Sequence, residues 1–283
     1  MTIFVAACFG PSFSRRAESL PKVTRDGVEL YWEKSGSGPA LILGAGLNGS
    51  GTWWIPNVPA LAKRFTVYTF DQRGTGHSTK VPVASIEQMA ADLVAVMDDA
   101  EIQSAHYCGH STGGAIGVAV ALDSPGRLKS LLIASSTTCG DPYRQKVLGL
   151  RMKLFKELGG EAYAQFRTLL LYPPYWINEN HKLLSESEAR DTGDLGGADV
   201  QISRLNAILS FDRRQEFHRL GTLPTLVVCA DDDLLAPRYF SEEYERLIPG
   251  ARAIYIPRGG HAVTKTEAEL FNRIALEFFT GLT

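Results

Sequence analysis

Along the chain, short apolar runs bounded by glycine, proline and aspartate alternate with longer stretches whose apolar residues recur every three or four positions. From Val28 to Trp32 apolar and polar side chains take turns, the period of a strand with one face in solvent, and Gly36, Gly38 and Pro39 end that run with turn chemistry. "PALILGAG" (39–46) is apolar throughout and reads as a buried strand. After a helical stretch around Ile55–Lys63, "FTVYTFD" (65–71) is the next β-rich run, and it stops at the glycine-containing loop "DQRGTGHS" (71–78).

In 85–100 the period changes: Ile86, Met89, Leu93, Val94 and Met97 share one helical face, and Ser85 with Gln88 three residues on forms a capping-box pattern. "AHYCG" (105–109) then predicts a strand, 113–122 a helix, and "LKSLLIASS" (128–136) another strand. This rhythm implies an α/β fold with a mostly parallel, doubly wound sheet. Residues 140–217 are helical in pattern, rich in charge and aromatics, and without a convincing strand. Strand signals return in "PTLVVCADDD" (224–233) and "AIYIP" (253–257), around a helix in 237–248 and before a closing helix over 264–279. The expected organisation is a tail (1–20), a core from 21–138 and 218–283, and a helical cap inserted at 139–217, placed to act as a lid.

Composition narrows the function classes. Of 283 residues, 45% are hydrophobic and 21% charged, with a formal net charge of -2, which offers no electrostatic footprint for nucleic acid or an anionic membrane. A small-molecule substrate is the expected partner, and a homodimer is left open. Cys8, Cys108, Cys139 and Cys229 are scattered without CxxC or Cys/His spacing, so no metal site or disulfide framework is expected and the thiols read as reduced, in the cytoplasm. "IFVAACFG" (3–10) is too short to span a bilayer and lacks a basic leader, so it reads as a tail.

The chemistry centres on Gly109-His110-Ser111-Thr112-Gly113, at a strand-to-helix junction. That spacing fits a nucleophile elbow, a sharp turn that presents a hydroxyl. An acyl-transfer serine needs a base and a group that orients the base. Asp233 follows the 224–230 run and His261 follows the 253–257 run after two glycines. In an open parallel sheet the carboxyl ends of the strands share one edge, which brings Ser111, Asp233 and His261 into one crevice. Asp231 and Asp232 compete with Asp233, which is favoured by its position four residues before Pro237. His110 is expected to point away from Ser111, while His77, His106, His181 and His218 lack a strand-end setting.

Negative charge on a carbonyl oxygen needs donors: the Thr112 N–H opens the elbow helix, and "GAGLNGSG" (44–51) offers a second, assigned to Leu47 with Asn48 beside it. In "DQRGTGHS", Asp71 and Arg73 are read as structural, pairing or bonding to turn backbone. Trp53, Trp54, Tyr172, Tyr175 and Trp176 are candidate pocket walls or packing.

With "GAGLNGSG", "DQRGTGHS", "GHSTGG", "DDDLLAP" and "GGHA" in order over residues 25–280, the chain resembles the α/β-hydrolases, in which the order Ser, Asp, His is expected. "LLLYPPYW" (169–176), "RLNA" (204–207) and "DDLLAP" (232–237) are similar to the aminoacrylate hydrolase group of pyrimidine utilisation, neighbours of the 3-oxoadipate enol-lactonases. The resemblance implies hydrolysis of a small, polar, carboxylate-bearing molecule without metal or organic cofactor. Arg204 and Asn206 are its candidate carboxylate anchors, against the default reading of a charged helix face. An aminoacrylate opens by water addition and needs no acyl-enzyme. A serine at the elbow and a complete triad instead suit an ester, lactone, amide or carbamate. Epoxide hydrolase and dehalogenase chemistry on this fold uses an aspartate where Ser111 stands. A cofactor-free lyase of the hydroxynitrile type and a ligand receptor with weak turnover are the alternatives.

Overall fold

The computed structural model describes residues 21–194 and 196–282. The segment expected as a tail, including Cys8, lies outside the described residues. Among the described residues eight strands form one sheet: β1 (Lys22–Arg25), β2 (Val28–Ser35), β3 (Ala40–Gly44), β4 (Thr66–Phe70), β5 (Ala105–His110), β6 (Leu128–Ala134), β7 (Thr225–Ala230) and β8 (Arg252–Ile256), in spatial order β1-β2-β4-β3-β5-β6-β7-β8. β1 and β2 are antiparallel, β2 runs antiparallel to β4, and every pair from β4 to β8 is parallel. β1 has no apolar run to announce it: its sequence is KVTR, and pairing with β2 rather than burial defines it.

The strand period sorts the side chains into two cores. Ile42, Tyr107, Leu131, Ile133 and Val227 face one side, where α2 (Ile86–Asp99) and α3 (Thr112–Asp123) pack; α1 (Val58–Leu61) begins the layer on the other. On that second face Leu41, Leu43, Cys108, Leu132 and Val228 meet Trp54, Phe65, Phe271 and Phe279. The predicted helix near 55–63 is reduced to a 3-10 turn at Gly51–Trp54 followed by α1. Pro56 and Pro59 account for this, since proline lacks the amide that a continuous helix would use. Ser85 caps α2 through the Gln88 amide at 3.2 Å, and the Gln88 side chain reaches back to the Ala84 amide at 2.8 Å, one residue before the capping-box position.

Between β6 and β7 the chain runs through α4 (Pro142–Leu171), α5 (Pro174–Asp194) and α6 (Ala198–Ser210). Asp141 caps α4 by accepting from the Arg144 amide at 2.8 Å, with Pro142 at the first helical position. Gly159 (φ 82°) breaks α4 into two helical arms. α7 (Arg238–Leu247) follows β7, and the predicted closing helix is divided at Glu267 into α8 (Val263–Thr266) and α9 (Ala268–Thr280). Among the described residues no helix is long and apolar enough to cross a membrane.

Candidate active site

The carboxyl ends of β3, β5, β7 and β8 converge on a cavity of about 300 Å³. Ser111, between β5 and α3, has φ 53° and ψ -120°, a conformation that costs a non-glycine residue on the order of 1–3 kcal/mol. The surroundings enforce it. Ser111 donates its amide to the Ala134 carbonyl at 2.8 Å, its own carbonyl accepts from Ser136 Oγ at 2.7 Å, and the Tyr107 hydroxyl donates to the Gly113 carbonyl at 2.8 Å. The flanking glycines are required by contact: a Cβ on Gly109 would strike the Gly113 carbonyl, and one on Gly113 would strike the Gly44 carbonyl. Strand and helix thus meet with no room for a side chain at position 109 or 113.

His261 lies beyond β8, and its Nδ1 is 2.9 Å and 3.1 Å from the two carboxylate oxygens of Asp233. Both residues are almost wholly buried. Asp233 Oδ1 also accepts from the Leu235 and Ala236 amides at 2.8 Å each, so three donors converge on this carboxylate. The three neighbouring aspartates separate by geometry. Asp231 pairs with Arg238 at 3.0 Å on α7, and Asp232 accepts from the Gly260 amide at 2.7 Å. Arg144, buried at the start of α4, donates to the Leu235 carbonyl at 2.7 Å and so ties the Asp233 loop to the helices above; burial pushes this guanidinium down to about 10. Ser111 and His261 both line the cavity.

Leu47 and Asn48 also line the cavity. The Gly46 carbonyl accepts from the Gly49 amide at 2.9 Å, which fixes the plane of the Gly46–Leu47 peptide and with it the direction of the Leu47 N–H. Gly49 (φ 69°) permits this turn. The Thr112 N–H belongs to the first residue of α3, where helix amides have no intrahelical acceptor. Among the described residues no group of three or more His, Cys, Asp or Glu is arranged to hold a metal ion.

Four expectations are corrected. Arg204 does not line the cavity and does not sit on a charged face: it is buried, donating Nε to the Leu47 carbonyl and Nη1 to the Arg73 carbonyl at 2.7 Å each, and Nη2 to Gln72 Oε1. It pins α6 to the loops beneath. Asn206, two positions on, turns to solvent because the helical period carries it off the face that Arg204 and Leu205 bury. Trp176 stacks on Tyr172 at 4.7 Å, and of this pair only Tyr172 lines the cavity. His110 does not point away from the site. Its Nε2 donates to the His261 carbonyl at 2.8 Å, and its ring stacks on Trp53 at 4.4 Å in the cavity wall. Of the other aromatic candidates, Trp53 lines the cavity, Trp54 is core, and Tyr175 bonds Glu267. Asp71 accepts from the Gly51 and His77 amides, as its structural reading requires, and Arg73 pairs with Asp92 on α2.

Two consequences are open to measurement. Arg204→Met strands three acceptors in the interior and is expected to lower the unfolding free energy by about 3 kcal/mol. It should also lower kcat, because the Leu47 loop loses its tether. Urea unfolding and turnover on the same preparation check both, and unchanged stability would mean that water replaces the guanidinium. For His110, burial first and the neighbouring His261 second hold the ring's pKa well below its ordinary 6.5. The unfolded chain therefore takes up a proton near pH 6.5 that the folded protein refuses. This stabilisation is complete above that pH and is lost as pH falls, by up to about 1.4 kcal/mol per unit. His110→Phe should flatten the decline of stability between pH 6.5 and 5 by about that slope, measured by urea unfolding; an undiminished slope would assign the titration elsewhere.

The pattern of the chain missed Arg151, Arg167, Gln201 and His77, all of which line the cavity. A signal existed for one of them: Arg144, Leu148, Arg151 and Phe155 fall on a single helical face, so charge interrupts an apolar stripe.

The model of the alpha/beta hydrolase fold family matches residues 39–268. The RutD protein of Azorhizobium caulinodans, provisionally described as a carbamate hydrolase, is 35% identical over 260 residues, covering 92% of this chain and 98% of that protein. A protein of the same description from a Caulobacter species is 36% identical over 259 residues, covering 89% and 96%. Among solved structures, the enol-lactonase from Burkholderia xenovorans superposes with a TM-score of 0.82 at 26% identity, covering 92% of this chain and all of that one. These matches agree with the group that the cap and core motifs resemble, and with this sheet order and the cavity at the strand ends they settle one point: the chain belongs to the alpha/beta hydrolase family and is a hydrolase.

Proposed function

We propose that the protein is a cofactor-independent serine hydrolase acting in the cytoplasm on a small, polar, carboxylate-bearing ester, lactone, amide or carbamate; an aminoacrylate-type molecule would instead open in the same cavity by water addition, without the acyl-enzyme. His261 Nε2 takes the proton as Ser111 Oγ bonds to the carbonyl carbon. The leaving group receives that proton as its bond to carbon breaks. The Leu47 and Thr112 amides hold the oxyanion, and Asp233 keeps the His261 proton on Nδ1 and stabilises the imidazolium. Water then attacks the acyl carbon as His261 Nε2 takes its proton, and that proton returns to Ser111 Oγ as the acyl bond to the serine breaks and the acid leaves.

The single observation that carries this reading is the contact of His261 Nδ1 with both oxygens of a buried Asp233, in a cavity that also holds Ser111 on a strained elbow. The carbamate option draws support from the description of the RutD relatives, and the lactone option from the enol-lactonase neighbour. Intact mass after incubation with a fluorophosphonate tests it: one adduct on the wild type and none on Ser111→Ala is the expected result. Absence of labelling on the folded wild type would remove the acyl-enzyme and favour water addition or ligand retention.

A further inference from the structure

The cavity has two kinds of wall. The core supplies Ser111, His261 and the Leu47 loop; the helices between β6 and β7 supply Arg151 and Gln201. Arg151 is 2% exposed, yet its hydrogen bonding is incomplete. Nη2 donates to the Tyr163 hydroxyl at 2.8 Å, and the guanidinium carbon lies 4.7 Å from the centre of that ring. Tyr163 in turn donates to Gln201 Oε1 at 3.3 Å. The Arg151 Nε is buried with no acceptor, and among the described residues no carboxylate pairs with this side chain. The break in α4 at Gly159 folds Tyr163 back onto Arg151, so the group is held by the fold.

Two of the other buried arginines, Arg73 and Arg204, show what satisfaction looks like in this protein. Arg73 has both oxygens of Asp92, and Arg204 has three acceptors. Arg151 has a neutral phenol. A desolvated guanidinium without a counter-charge is costly, and burial together with the nearby Arg167 disfavours its charged form. A planar fork with vacant donors matches a carboxylate.

We propose that Arg151 is the carboxylate-binding residue of the substrate site, receiving a free carboxylate of the same molecule whose acyl bond lies at Ser111. This rests on the hydrolase reading for what happens at Ser111, and on Arg151 alone for the anion. The substrate class is then a short acid carrying a second, hydrolysable acyl group. The core set of residues serves any acyl bond, and Arg151 selects those with a charged end.

Calorimetric titration of malonate, succinate, glutarate and adipate into Ser111→Ala protein tests the anion site without turnover. At least one diacid should bind 1:1 with a submillimolar Kd, and its dimethyl ester at least tenfold more weakly. Adding Arg151→Gln should weaken the diacid at least 30-fold, while Arg151→Lys should weaken it less. If the glutamine protein does not fold, the lysine variant and the discrimination between diacid and diester decide. No diacid binding, equal affinity in a folded Arg151→Gln protein, or inorganic phosphate binding as tightly as the best diacid would each overturn the assignment. Fluorophosphonate labelling reports on Ser111 alone, so the two readings fail separately.

Discussion

Replacing Ser111 with alanine is expected to lower kcat by about 10⁵–10⁶-fold on any substrate the wild type turns over, because the side chain proposed to form the acyl-enzyme is gone while the cavity and the proposed oxyanion donors remain. The expectation has a companion in stability. Ser111 is held at φ 53° and ψ -120° by bonds from its neighbours, and alanine inherits that strain. Glycine does not. Ser111→Gly should be as inactive as Ser111→Ala yet more stable by about 1 kcal/mol, the signature of a turn kept strained for its hydroxyl. Turnover and urea unfolding on both variants read the pair of effects. Activity of Ser111→Ala within tenfold of wild type would rule out the acyl-enzyme, and equal stability of the two variants would mean that the turn stores no strain.

Asp233→Asn should lower kcat by about 10⁴-fold with the fold intact, through the tautomer of His261. The Leu235 and Ala236 amides both donate to Oδ1, so that position must remain an oxygen after substitution. The new NH2 group then stands at the Oδ2 position, 2.9 Å from His261 Nδ1. Two donors cannot share a hydrogen bond. His261 must carry its proton on Nε2, and from that nitrogen it cannot accept the proton of Ser111. Turnover, the rate of fluorophosphonate labelling and thermal unfolding should be measured together. A loss smaller than tenfold would transfer the orienting role away from Asp233, and a collapse in stability would show that the amide bonds did not survive.

The chain's own order carried the elements because the reporting signals are local. Strand period in 39–46 and 128–136, helix period in 85–100, and the glycines that close contacts force around Ser111 are each set by neighbours a few residues away. The alternation of strands and helices then fixed a mostly parallel sheet, and a parallel sheet has one carboxyl edge, which is why Ser111, Asp233 and His261 could be named as a set. β1 escaped because a four-residue polar strand is defined by its partner and not by its own pattern.

What only the tertiary structure decided is which polar groups meet. Asp231, Asp232 and Asp233 are chemically the same residue in sequence; their loop gives one to Arg238, one to the Gly260 amide and one to His261. Arg204 reads from the sequence as a carboxylate anchor or a charged helix face and Arg151 drew no reading at all, yet the fold buries both. One meets three acceptors more than 130 residues distant, while the other meets a phenol and the cavity. Apolar burial averages over many contacts and leaves a period in the sequence, whereas a hydrogen bond or ion pair depends on single atoms from distant segments and leaves none. His110 makes the same point: its neighbour Ser111 was legible from the elbow, but its contact with the His261 carbonyl, 151 residues away, existed only once β5 and the loop after β8 were brought to the same edge.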